Sequence, residues 1–161
     1  MLIAALLLVV LFAPVLLSSR VPAVGLIDGQ LRPCPAKPNC VSSQAEDEAQ
    51  RVAPLALPAD VDAQGTFQRF LEVLDARSDA RVVMRTAFPQ QDPPASPPLP
   101  PNFAHVEFVT PYLRFRDDVE LLLDRDARVV HVRSGSRVGH SDFGQNRKRV
   151  EVLREVLAGL K

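Results

Sequence analysis

Tryptophan is absent from this chain of 161 residues, and Tyr112 is its only tyrosine. Neither sign of charge is in excess, since 19 basic side chains balance 19 acidic ones. A nucleic-acid binder needs surplus positive charge on one face to displace counterions, and single-strand binders add aromatic platforms for the bases. Both are missing, so nucleic acid is excluded as a partner. His105, His131 and His140 are scattered along the chain, without the spacing of a metal site. There is no Gly-x-Ser-x-Gly elbow, no phosphate-binding glycine loop and no Rossmann fingerprint, and no cofactor is expected. No internal repeat or βαβ alternation appears. What remains is an ordinary globular composition, 47% apolar and 24% charged, long enough for one domain with one core.

The first charged side chain is Arg20, and Leu2 to Leu17 are apolar apart from Pro14. A helix over that run would be about 24 Å long at ~1.5 Å per residue, short of a hydrocarbon core of roughly 30 Å. Extension through Ser18 and Ser19 makes a marginal span. The run also fits the apolar part of a secretory signal, with small residues around Val21-Pro22-Ala23, although no basic residue precedes it. Residues 1–23 are therefore read as a signal or membrane anchor, which makes the membrane a partner through this segment and places the domain, residues 24–161, outside the inner membrane, in the periplasm.

The two cysteines lie in Arg32-Pro33-Cys34-Pro35-Ala36-Lys37-Pro38-Asn39-Cys40. A structural zinc site needs about four ligands, and no histidine is near in sequence. A redox pair has two intervening residues rather than five. Three prolines and an asparagine describe a stiff turn that brings Cys34 and Cys40 together. A disulfide is the favoured reading over unpaired thiols and over metal or redox chemistry, and it agrees with export, because such bonds persist in oxidising compartments.

From Val41 to Pro58 the chain reads as an irregular arm. A helix starting near Asp60 or Asp62 follows, with Phe67, Phe70, Leu71 and Leu74 on one face. Val82, Met84, Thr86 and Phe88 alternate as a strand. Six prolines between Pro93 and Pro101 cannot join a ladder and make residues 89–102 an exposed loop. Three more strands carry Ala104, Val106 and Phe108, then Leu113, Phe115, Val119, Leu121 and Leu123, then Val130 and Val132. Asp124-Arg125-Asp126-Ala127 forms the turn between the last two. A final helix has Val150, Leu153, Val156, Leu157 and Leu160 on one side, with Asp142 and Gln145 as a capping box. The fold class is α+β: about four antiparallel strands in one sheet, two main helices each covering a face, and an irregular disulfide-clipped N-terminal arm.

Asp117 shares parity with Phe115 and Val119, which aims its carboxylate at the core. It then needs a cationic or hydrogen-bonding partner, unless Asp117-Asp118 is a bulge that turns it outward. Arg133, Ser134, Ser136 and Arg137 end the last strand, and Asn146 and Arg147 open the last helix. With Asp117 they form a candidate site for a small anion such as phosphate or carboxylate. The competing reading is a structural ion-pair network tying helix to sheet. Asp117, His140 and Asp142 supply the groups for a hydrolase alternative, although neighbours on one turn rarely aim at a common point.

Two stretches resemble the signatures of a known family. Cys34-Pro35-Ala36-Lys37-Pro38-Asn39-Cys40-Val41-Ser42-Ser43-Gln44 resembles the opening signature of domain of unknown function 1499. Arg133-Ser134-Gly135-Ser136-Arg137-Val138-Gly139-His140-Ser141-Asp142-Phe143-Gly144-Gln145-Asn146-Arg147 resembles its closing one. Phe115-Arg116-Asp117-Asp118-Val119-Glu120 is similar to a third block. The resemblance spans about residues 25–157 and departs at Gly135, where alanine is expected, at His140, where tyrosine is usual, and in the proline-rich insertion. It implies an uncharacterised, largely bacterial family, often with an N-terminal membrane or export segment, and implies no mechanism. The functional expectation is a non-catalytic envelope protein binding a small anionic ligand or partner at Arg133 to Arg147. The alternatives are the hydrolase and a purely structural or assembly role.

Overall fold

The computed structural model describes residues 23–85, 102–112 and 114–160. The apolar N-terminal run, the proline-rich loop, Thr86, Phe88 and Leu113 lie outside them.

Two short strands, β1 (Leu26–Ile27) and β2 (Gln30–Leu31), make a hairpin. The main sheet contains β3 (Cys40–Ser42), β4 (Leu55–Ala56), β5 (Ala80–Arg85), β6 (Phe103–Val109), β7 (Arg116–Asp124) and β8 (Val129–Ser136). Its order is β3-β8-β7-β6-β5, with β4 also pairing β8, and every ladder is antiparallel. The sheet thus has six strands where about four were expected. The additions come from the segment read as an irregular arm. Strands of two or three residues show no alternation, so their pairing along one edge of β8 left no pattern in the sequence.

Helix α1 (Ala63–Asp75) is capped by Asp62, whose carboxylate accepts from the backbone N–H groups of Gln64 and Gly65. Its Phe67, Phe70, Leu71 and Leu74 are all buried, at roughly 1.5–3 kcal/mol each. Helix α2 (Gln145–Ala158) buries Val150, Leu153 and Leu157. The expected capping box does not form. Gly144, at φ 80°, is the cap residue and offers no side chain, while Asp142 lies two residues further out. Asp142 still satisfies the helix end, accepting from Gly144 N at 3.0 Å and Asn146 N at 2.7 Å.

The helices do not take one face each. Both apolar stripes join a single core with Ala104, Val106, Val119, Leu121, Val130 and Val132. The register explains this. Val106 pairs Val119, which pairs Ser134, and these side chains share a face; one residue along, His105 pairs Glu120, which pairs Arg133. Only one face of the central strands is apolar, so both helices pack there. On the opposite face Leu31, Phe103 and Leu122 form a small second cluster. A register shift between Val82 and Met84 divides the residues expected to share a side: Val82 packs on the main core and Met84 on the small cluster.

The turn after β7 is as expected, with Asp124 Oδ1 accepting from Ala127 N at 2.9 Å. Cys34 and Cys40 form a disulfide. Among the described residues no helix is long and apolar enough to cross a membrane.

Candidate functional site

Two polar clusters occupy the two faces of the sheet. On the face away from the helices, Asp118 is 3% exposed and accepts from Arg137 through both oxygens, at 2.8 Å from Nε and 2.7 Å from Nη2. His105 Nε2 lies 2.7 Å from the same carboxylate. Arg137 also donates to Glu107, which pairs Arg116. Burial on its own would raise the Asp118 pKa, but the Arg137 guanidinium and His105 outweigh it and hold the carboxyl below its ordinary range. Beside this chain, Arg133 pairs the fully buried Glu120 at 2.5 Å, and Glu120 also accepts from Gly25 N at 2.7 Å.

On the helix face, Asp117 is 3% exposed and points inward, as its parity requires. The bulge reading is not taken up: β7 runs in unbroken register with β6 and β8 through Asp117 and Asp118. The partner is Arg149 from α2, whose Nη2 donates to Asp117 Oδ2 at 2.5 Å. The Arg149 Nη1 donates to Asn146 Oδ1 at 2.7 Å, and the guanidinium lies 5.0 Å from the Phe108 ring centroid. Buried Asn146 is the hub of the cluster. Its Oδ1 also accepts from Ser134 Oγ at 2.6 Å, and its Nδ2 donates to Asn39 O and Ser136 Oγ, both at 3.0 Å.

The residues expected to hold an anion are therefore only partly together. Asp117, Ser134, Ser136 and Asn146 converge. Arg133 and Arg137 sit on the other face, because alternate residues of β8 point to opposite sides. Arg147 is elsewhere again, donating to the backbone oxygens of Arg51 and Ala49 at 2.9 and 2.8 Å and so fastening the arm to α2. No convergent group of Arg133, Arg137 and Arg147 is formed, and each already has a partner. For these arginines the ion-pair and carbonyl network is the arrangement found. Arg149 was missed, although the signal was there: it stands four residues before Leu153, on the apolar side of α2, facing a strand carboxylate of core parity.

Beside the Asp117–Arg149 pair a cleft of about 980 Å³ opens between α2 and the ends of β6, β7 and β8. Phe108, Phe115, Val138, Val152 and Leu153 make its surface mainly apolar. Asp117, Arg149 and Ser136 are its polar floor, and Arg77 and Asp79 stand on one wall. Arg77 Nε donates to Asp79 at 2.8 Å, and that hydrogen bond holds the Asp79 carboxyl below its usual range. The volume lies at the upper end of the roughly 300–1,000 Å³ of sites that enclose small ligands.

The family can now be placed. The sequence profile of a family described as a protein of unknown function, DUF1499, matches residues 30–157. The chain belongs to the DUF1499 family. No curated protein and no solved structure matches it. Within this DUF1499 domain the closing signature supplies a continuous part of the cleft wall, including Ser136, Val138, Gly139, Ser141 and Phe143. The opening signature supplies the disulfide and Asn39, which donates to the carbonyls of Ser136 and Gly139 and so braces that wall.

Of the hydrolase groups, Asp117 and Asp142 line the cleft and His140 does not. Asp117 is committed to Arg149, both oxygens of Asp142 accept backbone N–H groups, and His140 is exposed and outside the cleft lining. Among the described residues no three His, Cys, Asp or Glu side chains come together as a metal site.

Proposed function

We propose that this DUF1499 domain is a non-catalytic binding module of the cell envelope, taking a small ligand in the cleft between α2 and the ends of β6 to β8. The observation that carries this reading is the cleft itself: an apolar recess of about 980 Å³ built on a buried, neutralised ion pair. Such a floor offers no free catalytic carboxylate, because Asp117 Oδ2 is already taken by the Arg149 guanidinium. As a fixed polar mark at the bottom of an apolar site, it orients whatever binds. The expected anion-binding region shifts accordingly, from the three arginines to the cleft formed by the same signature. The envelope location draws support from the apolar N-terminal run and from the Cys34–Cys40 disulfide, which suits an oxidising compartment.

A thermal-shift screen of chemically diverse compounds on the protein tests the reading. A ligand at a hundred times its Kd stabilises the native state by about 2.7 kcal/mol, a readily measured shift. Val152→Asp changes a residue that lines the cleft and is 44% exposed, so the fold keeps its packing while the apolar wall gains a charge. Compounds that raise the melting temperature of the wild type should lose their effect on this variant. Equal stabilisation of both proteins would refute the site. Export is tested with a reporter active only in the cytoplasm, fused after Lys161, which should stay silent.

A further inference from the structure

The charges and hydroxyls around the cleft are unequally engaged. Arg149 is matched by Asp117 and Arg77 by Asp79, and the Asp142 carboxylate is taken up by two backbone N–H groups. Three hydroxyls of the lining each accept one hydrogen bond from the protein. Thr110 Oγ1 accepts from Phe115 N, Ser136 Oγ from Asn146 Nδ2, and Ser141 Oγ from Phe143 N. Among the cations of the lining Lys148 is the exception. It is exposed on the cleft lining and has no side-chain partner among the described residues. Phe143, 90% exposed, and Val152 flank the same opening with apolar surface.

We infer that the cleft takes a single-chain anionic amphiphile, with its hydrocarbon tail against Phe108, Phe115, Val138, Val152 and Leu153 and its head group at Lys148. This rests on the cleft being the binding site, and adds the class of ligand. One cation without a carboxylate partner, beside a mainly apolar recess whose own unpaired carboxylate, Asp142, is held by backbone N–H groups, is complementary to one anionic group on an alkyl chain. A fatty carboxylate and an alkyl phosphate share that chemistry.

Calorimetric titration of the full chain with decanoate, decyl phosphate and decan-1-ol, each below its aggregation concentration, separates the possibilities. The anions should bind about fivefold more tightly than the alcohol, the scale of one exposed ion pair. The tighter of the two anions identifies the head group. Lys148→Gln should erase the preference for the anions and leave the affinity for the alcohol unchanged, whereas Val152→Asp should weaken all three. Equal binding of alcohol and anions by the wild type, or a preference that survives Lys148→Gln, overturns the amphiphile assignment. If none of the three binds while other compounds stabilise the protein in a Val152-dependent way, the ligand class falls and the cleft stands. If Val152→Asp leaves all binding intact, both fall.

Discussion

Replacing Arg149 by methionine is the most informative single change in this fold. The side chain is 13% exposed, the Asp117 side chain is 5% exposed, and no other ion pair to Asp117 is formed among the described residues. Methionine keeps most of the hydrocarbon stem against Phe108 and removes the charge. Asp117 is then left as a buried, unpaired carboxylate, and Asn146 Oδ1 loses one of its donors. Breaking a buried pair from one side costs about 3–5 kcal/mol, out of a total stability of about 5–15 kcal/mol. Removing both charges should cost far less, because Asp117→Leu with Arg149→Met exchanges the pair for hydrocarbon at similar volume. Urea unfolding followed by far-UV circular dichroism suits a chain with no tryptophan and one tyrosine. The expected result is a loss of about 3–5 kcal/mol in Arg149→Met and recovery of most of it in the double variant. If Arg149→Met costs under about 1 kcal/mol, the pair behaves as a surface salt bridge and the reasoning fails. Additive losses in the double variant would refute the coupling as well.

Asn146→Ala should cost about 2–3 kcal/mol, since it removes the acceptor of Ser134 and Arg149 and the donor to Asn39 and Ser136 in one step; a urea midpoint within error of wild type would contradict this. Asp118 gives a pH test. Its pKa is lowered in the folded state, so its stabilisation is fully present above the unfolded value of about 3.9 and is lost as pH falls through the lower folded value. The stability gap between wild type and Asp118→Asn should therefore be constant from pH 7 to about 5 and close in the acid range below about 4; a gap unchanged down to pH 2.5 would rule out this linkage. Changing both Cys34 and Cys40 to alanine should cost about 2 kcal/mol by loop entropy for so short a ring. The same variant should weaken ligand binding in the cleft, because Asn39 beside Cys40 braces the carbonyls of Ser136 and Gly139; calorimetry that finds affinity unchanged would separate the clip from the site.

Much of this architecture was legible in the chain, and what was not has physical reasons. The stripes of α1 and α2 and the alternation of β6, β7 and β8 repeat often enough to register, so those elements stand where periodicity puts them. Strands β3 and β4 are too short to repeat anything. Their pairing depends on β8, more than seventy residues away, and on arginines such as Arg154, which donates to the backbone oxygens of Ala53 and Pro54 from α2. The one-sided placement of the helices was visible in principle. His105, Glu107, Asp118, Glu120 and Arg133 all have the parity opposite to the main apolar set, so only one face could receive both helices. In the candidate site, the inward aim of Asp117 followed from parity. Its partner did not, because Arg133 and Arg137 are nearer in sequence than Arg149, and alternation along β8 sends them to the other side.

The position of the cleft follows from where the apolar rows of the sheet run out. Along the helix face, the row Ala104, Leu121, Val132 is all hydrocarbon, the next is Val106, Val119, Ser134, and the next is Phe108, Asp117, Ser136. Polar groups thus replace apolar ones step by step toward one end of β8. Helix α2 lies over this gradient. Val150, Leu153 and Leu157 pack on hydrocarbon, while the first turn meets the sheet through Asn146 and Arg149. Hydrogen-bonded groups hold fixed separations and cannot collapse together as aliphatic side chains do, so this end of the helix–sheet interface stays open instead of closing. The chain beyond β8 then turns through Gly139 and Gly144, both at positive φ, and sets Val138 and Phe143 along the opening. A single apolar substitution at Ser136 is therefore unlike one at Val132: it would unseat Asn146 Nδ2 and change the shape of the cleft, where Val132 changes only the core.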